Sequence, residues 1–170
     1  SDLNMNRSGG LVLGNQSPHL YGKLVLENGI VTTNASGYLI MDKLATVGTD
    51  ESNSEPGSST SYVSGLVRKI GNSAFTFPVG DASNHAPIGI SVPNGGGDDT
   101  EYFEATYKFV NASDDSYNTY SREGGIHHVA NTEYWMLDRS SGGSNEVRVS
   151  LSWDARTGGI DSVDYIIVAR

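Results

Sequence analysis

The sequence contains no cysteine in its 170 residues. This absence excludes disulfide bonds, cysteine-bound zinc and thiol catalysis. The sequence also lacks any run of about 18 consecutive apolar residues, the length that a membrane-spanning helix requires. We therefore expect no membrane insertion, and a fold that is held together by packing, hydrogen bonds or bound ions.

Basic residues are scarce as well: 11 Lys and Arg stand against 20 Asp and Glu, and the formal net charge is −9. A nucleic-acid partner needs a surface rich in Lys and Arg, so the charge argues against one and equally against an anionic membrane surface. Acidic side chains among Asn and Gly fit an extracellular protein that binds Ca²⁺, or they serve solubility alone.

Glycine, in contrast, is abundant, with 21 residues that lie mainly between short apolar runs. This arrangement is typical of a chain with many turns rather than of a disordered one. A chain of this length forms one domain in most cases, and it buries roughly 70% of its unfolded surface.

The first part of the sequence consists of short apolar runs. Asn28-Gly29 lies between two of them and predicts a type I′ hairpin, because both central residues of that turn need positive φ. The runs also resemble the rungs of a β-solenoid, although no repeat of fixed period continues past Met41. They are residues 11–13, 23–26, 30–33 and 38–41.

Longer runs follow, with strict alternation of apolar and polar residues, which is typical of antiparallel strands that have one wet face. Trp135 is in phase with Leu137 and is predicted to lie in the core. The residues predicted to face inward are Phe103, Ala105, Tyr107 and Phe109 in one run and Val147, Val149, Leu151 and Trp153 in another.

These patterns predict an all-β protein: an antiparallel β-sandwich of jelly-roll type with a short-strand, solenoid-like N-terminal region. The predicted division is a short-strand region at 1–47, a polar loop at 48–61 and a sandwich at 62–170, packed as one structural unit. The sequence ends at Arg170, directly after the apolar residues 165–168, and we expect it to be a piece of a larger protein.

Six segments carry a resemblance to a known group of proteins. The last five, in this order, resemble a module of large secreted proteins of Bacteroidota, which usually end in a type IX secretion sorting domain. The first resembles the Gly/Thr-rich short-strand region that often precedes this module. The resemblance implies an extracellular or cell-surface location and a non-catalytic, adhesin-like architecture. The segments are GKLVLENGIVTTNASGYLIM at 22–41, SYVSGLVRKIGNSAFTFPVGD at 61–81, APIGIS at 86–91, EYFEATY at 101–107, TEYWMLDRSSGGSNEVRVSLSWD at 132–154 and YIIVAR at 165–170.

Candidate binding residues lie in polar segments. Asp98, Asp99 and Glu101 could supply oxygen ligands to Ca²⁺, which takes six to eight of them, or they form a solvated acidic loop. Tyr117 and Tyr120 are candidates for exposed aromatic rings that stack on sugars. Ser162, in Asp161-Ser162-Val163, fits the short sequon that Bacteroidota use for O-glycosylation of exported proteins.

No catalytic constellation is visible in the sequence, and we predict that the chain is not an enzyme. The adjacent His127 and His128 would point to opposite faces of a strand and make a poor metal pair. The predicted function is a secreted structural or adhesive module, either as a fibre subunit or as part of a surface assembly. Its partners would be copies of itself or other surface proteins, joined through the strand formed by Tyr165, Ile166, Ile167 and Val168. The alternative is a carbohydrate-binding module of a secreted polysaccharide-degrading enzyme, with polysaccharide as the partner.

Overall fold

The structure is a computed structural model that describes residues 1–81, 83–94, 100–121, 129–139, 146–154 and 157. These ranges contain sixteen strands and no α-helix, which confirms the all-β prediction. No helix in them is long and apolar enough to cross a membrane. The strands are β1 (Leu3–Asn6), β2 (Leu11–Val12), β3 (His19–Leu20), β4 (Lys23–Asn28), β5 (Val31–Thr32), β6 (Leu39–Met41), β7 (Thr46–Gly48), β8 (Val63–Ser64), β9 (Val67–Ile70), β10 (Phe75–Phe77), β11 (Val79–Asp81), β12 (Asn84–His85), β13 (Ile88–Ile90), β14 (Tyr102–Lys108), β15 (Tyr134–Arg139) and β16 (Val149–Leu151).

The strands form four sheets. We number them by their strand order: sheet 1 is β1-β4-β7, sheet 2 is β12-β11-β8-β5-β2, sheet 3 is β15-β14-β9-β6-β3, and sheet 4 is β10-β13-β16.

The first nine strands visit sheets 1, 2 and 3 in turn, three times over. We call residues 3–20, 23–41 and 46–70 the first, second and third coils. Equivalent strands of successive coils pair in parallel: Leu24 lies opposite Leu3 and Val47, and Val31 lies opposite Leu11 and Val63. Aliphatic side chains of one coil therefore stack on those of the next.

The predicted hairpin at Asn28-Gly29 is wrong. β4 and β5 lie in different sheets, and Gly29 forms the corner between them. Its amide donates to the carbonyl oxygen of Thr60 at 3.0 Å, and a Cβ at this position would lie 1.9 Å from the carbonyl oxygen of Arg7. Gly29, with φ of 94°, is thus required for the close stacking of corners rather than for a two-residue turn.

Antiparallel strands extend sheets 2 and 3 and form sheet 4. β14 pairs antiparallel with β9 and β15, and β13 pairs antiparallel with β10 and β16. Sheets 2 and 3 therefore contain strands from both of the regions predicted at 1–47 and 62–170.

The polar segment at 48–61 belongs to the third coil and leads from β7 to β8. The ammonium group of Lys23 donates to the carbonyl oxygens of Glu51 and Asn53 at 2.8 and 2.7 Å. Hydrogen bonds from Ser52 and Asn53 to the Asp50 carboxylate close a tight local turn, and those from Ser52 lower the pKa of Asp50 most strongly. The segment is therefore an ordered loop to which Lys23 contributes two hydrogen bonds.

The core lies between the inward faces of the sheets. Phe103, Ala105 and Tyr107 of β14 are buried, as their alternation predicted. Trp135 is partly buried, packs on the ring of Tyr107 and donates from Nε1 to the carbonyl oxygen of Ala86 at 2.9 Å, which confirms its predicted place.

The prediction for Trp153 is wrong, because its side chain is 56% exposed. Val147, Val149 and Leu151 of the same run pack partly buried against the core. β16 ends at Leu151, and alternation assigns faces only as long as the strand continues.

Candidate functional site

An open groove of about 430 Å³ lies on the outer face of sheet 2. Its floor is formed by Val12, Thr32 and Ser64, which stand opposite one another on the neighbouring parallel strands β2, β5 and β8. Of the residues that alternate with them, Val31 and Val63 are buried in the core, and Leu11 is partly buried. The alternation of three short strands thus turns a row of one valine and two hydroxyl side chains outward.

One wall of the groove consists of the corners that precede these strands, at residues 8–10, 28–30 and 60. The amide of Leu11 donates to the carbonyl oxygen of Ile30 at 2.9 Å, so the first two corners are joined by backbone hydrogen bonds. Gly10 has φ of 68°, and a Cβ there would lie 2.7 Å from the same carbonyl oxygen. Glycine is therefore required at this corner too.

Tyr62 and Ser83 also line the groove. The Tyr62 ring is buried, and its hydroxyl accepts a hydrogen bond of 3.0 Å from the amide of Ser83. Ser83 adopts φ of 71°, which is uncommon for a residue with a side chain. Burial, helped by the negative charge of Asp81, raises the pKa of Tyr62, so its phenol is neutral at physiological pH.

None of the described residues that line the groove carries a charged side chain, although the whole chain has a net charge of −9. Hydroxyl groups dominate its polar chemistry, and one exposed valine, Val12, adds apolar surface. The residues that contribute aliphatic hydroxyls are Ser8, Thr32, Thr60, Ser64 and Ser83.

Tyr117 and Tyr120, the predicted sugar-stacking residues, are 50% and 85% exposed. The ring of Tyr117 makes an edge-to-face contact with Tyr134, whose hydroxyl donates to the carboxylate of Asp115. Burial and Asp115 together raise the pKa of Tyr134. Both predicted tyrosines are thus accessible, but neither lines the groove.

Of the predicted calcium ligands, only Glu101 lies within the described residues. It is buried and accepts a hydrogen bond of 2.8 Å from the guanidinium group of Arg139. The parts of the chain that the structure describes contain no group of three or more His, Asp or Glu residues that could hold a metal ion. The calcium site stays a prediction. Asp98, Asp99, His127, His128, Ser162, Tyr165, Ile166, Ile167 and Val168 lie outside the described residues.

A second cluster, which the sequence did not reveal, lies on the outer face of sheet 3. The guanidinium carbon of Arg68 stands 4.9 Å from the ring centre of Tyr38 and 4.0 Å from that of Tyr102. Arg68 also donates to a carboxylate oxygen of Glu104 from Nε at 2.8 Å and from Nη2 at 2.5 Å. Because its charge and ring contacts are satisfied internally, this cluster joins β9 to β14 rather than offering a binding site.

Sequence reasoning missed the groove because its three floor residues are separated by unequal lengths of chain. The one local signal was the recurrence of glycine corners, Gly9-Gly10 and Asn28-Gly29, just before two apolar runs. No family model matches this chain, and no curated protein or solved structure matches it either.

Proposed function

We propose that this chain is a secreted, non-catalytic structural and adhesive module of a cell surface, in which a short β-solenoid continues into an antiparallel sandwich. The observation that supports assembly most directly is the position of the first coil. Its strands β1, β2 and β3 are each the last strand at one edge of their sheets. Edge strands offer unpaired backbone groups to another chain.

The side chains of the first coil support the same proposal. Leu3 and Leu11 are only partly buried, whereas their partners in the second coil, Leu24 and Val31, are fully buried. Within the part of the chain that the structure describes, the open end of the coils therefore combines free strand edges with incompletely covered leucines. A further layer of strands with aliphatic side chains at the same register would cover both.

The test is negative-stain electron microscopy with light scattering over a wide range of protein concentration, with and without a Ca²⁺ chelator. We expect concentration-dependent filaments that Leu3→Glu abolishes. Leu44→Glu is the matched control, because Leu44 is 79% exposed and lies outside the strands. Sensitivity to the chelator would implicate Asp98 and Asp99, and a strictly monomeric chain under every condition would refute assembly.

The alternative proposal is a carbohydrate-binding module of a secreted polysaccharide-degrading enzyme. Exposed tyrosine rings at 117 and 120 support it, because the C–H faces of sugars pack on aromatic faces. We expect polysaccharide to retard the protein in affinity electrophoresis, and Tyr120→Ala to reduce that retardation. Tyr21→Ala is a suitable control, since Tyr21 is also exposed but follows the first coil and contacts His19. A catalytic domain next to this module in the parent gene would favour this alternative.

A further inference from the structure

We propose that the groove across β2, β5 and β8 binds an uncharged, extended β-linked polysaccharide that runs perpendicular to the strands. This inference rests on the carbohydrate-binding alternative and not on self-assembly. It assigns that function to a different surface from Tyr117 and Tyr120, and it specifies the class of ligand.

The absence of charge in the groove selects the ligand. Every polar side chain among its described lining residues is a hydroxyl or an amide, so an anionic or cationic ligand would meet no opposite charge on this lining. The net charge of −9 adds long-range repulsion against polyanions. A neutral sugar, in contrast, can exchange hydrogen bonds with hydroxyls that act as both donors and acceptors.

The spacing of the floor residues selects the shape of the ligand. Val12, Thr32 and Ser64 repeat across the strands at the inter-strand distance, about 4.8 Å. An extended β-linked pyranose chain advances by a similar length per sugar. Successive sugars could therefore meet successive strands in the same way, whereas a coiled α-linked glucan would leave the groove after one contact.

The groove is also preorganised. β5 and β8 are paired on both sides, and backbone hydrogen bonds join the corners that form one wall. The hydrogen bond from the Ser83 amide to the Tyr62 hydroxyl fixes Ser83, whose φ is positive. Little conformational freedom would be lost on binding, which favours affinity from a few hydrogen bonds. Because β5 and β8 are paired on both sides, an extended peptide could pair only with the outer edge of β2 and not with the centre of the floor.

The experiment is affinity electrophoresis of the whole chain in gels that contain hydroxyethylcellulose or glucomannan, both neutral and β-linked. Dextran, which is neutral and α-linked, and alginate, which is anionic, serve as comparison polymers. Thr32→Arg blocks the floor of the groove. Thr46→Arg is its matched control, since Thr46 is also an exposed strand threonine but belongs to sheet 1.

We expect only the two β-linked neutral polymers to retard the unmodified chain. Thr32→Arg should lower the affinity for them by about tenfold or more, and Thr46→Arg should leave it unchanged. Ser64→Ala removes one hydroxyl without adding bulk, and we expect it to weaken binding about threefold to tenfold. Equal thermal midpoints of the variants and the unmodified chain would show that folding is intact.

Three results would overturn the inference. They are retardation by none of the polymers, equal retardation of the unmodified chain and Thr32→Arg, and stronger retardation by alginate than by glucomannan. If Tyr120→Ala abolishes the retardation and Thr32→Arg does not change it, the groove is not the binding site, although the carbohydrate-binding function is supported. Retardation by none of the polymers would refute both.

Discussion

The ammonium group of Lys69 lies in the protein core and donates a hydrogen bond of 2.7 Å to the carbonyl oxygen of Asp42. Lys69 is 1% exposed, and it also donates to the carbonyl oxygens of Lys43 and Ile70 at 2.9 Å. Lys69 lies in β9 with its side chain inward, between its paired residues Met41 on β6 and Phe103 on β14. A buried charge thus satisfies carbonyl groups at the corner that connects the second and third coils.

The burial of Lys69 predicts an unusual dependence of stability on pH. Desolvation lowers its pKa from 10.5 to about 8, although the charge of Asp42 acts in the opposite direction. Below pH 8 both the folded and the unfolded chain hold the proton, and the full cost of the buried charge is present. Between pH 8 and 10.5 only the unfolded chain holds it, so this cost is relieved as pH rises.

Above pH 8, Lys69 should therefore make the free energy of unfolding rise with pH by at most about 1.4 kcal/mol per pH unit. We expect Lys69→Met to abolish this rise. Urea denaturation from about pH 7 to about pH 10 measures this slope. Lys43→Met, at an exposed lysine of the same corner, should leave it unchanged. Parallel curves for the Lys69 variant and the unmodified chain would contradict the expectation.

Replacement of Arg68 should weaken the junction of β9 and β14. Its planar guanidinium stacks on Tyr38 and Tyr102 while it binds Glu104, a combination that an ammonium group cannot reproduce. We expect Arg68→Lys to lower the free energy of unfolding by about 1 kcal/mol, measured by urea denaturation. Arg7→Lys, at an exposed arginine, provides the comparison, and an equal effect of both variants would argue against the stacking.

Loss of the Lys23 ammonium should loosen the loop that contains Glu51. Two loop carbonyl groups would lose their charged donor, at a cost of about 1–3 kcal/mol. We expect Lys23→Met to speed cleavage after Glu51 and Glu55 by a glutamate-specific protease under native conditions. Lys43→Met should not change the cleavage rate, and an unaltered rate in the Lys23 variant would show that the loop is held by other contacts.

Substitution of two glycines with positive φ can distinguish the cost of backbone strain from the cost of a steric clash. At Gly29, with φ of 94°, a Cβ would lie 1.9 Å from the carbonyl oxygen of Arg7, whereas Gly14 has φ of 60° and nothing within 4 Å of that point. We expect Gly14→Ala to cost about 1–2 kcal/mol from the left-handed backbone alone. Gly29→Ala should cost clearly more, about 3 kcal/mol or above, because the corner must also move. Similar thermal midpoints for the two variants would contradict the stacked corner.

Local patterns predicted the strands and their faces well. Alternation correctly placed Phe103, Ala105 and Tyr107 in the core, because the direction of a side chain follows from its position in the strand. The same rule failed at Trp153, beyond the end of β16. It also failed to identify the strands that pair, since β5 pairs with β2 and β8 across loops of different length.

The candidate site was less accessible to sequence reasoning than the strands. Tyr117 and Tyr120 are exposed as expected, since they follow a run of small polar residues. Thr32 and Ser64 carry no chemical signal of their own, and only their juxtaposition across parallel strands creates a hydroxyl row. The local sequence around Glu101 indicated an acidic ligand, but β15 brings Arg139 to its carboxylate.

The amino-acid sequence by itself determined the all-β class, the absence of disulfide bonds and the inward faces of the long strands, because each follows from composition or from neighbours in the chain. The tertiary structure alone decided the parallel stacking of coils, the burial of Lys69 and the groove on sheet 2. Those features depend on residues that are distant in sequence and are joined by loops of unequal length, so no local sequence pattern predicts them.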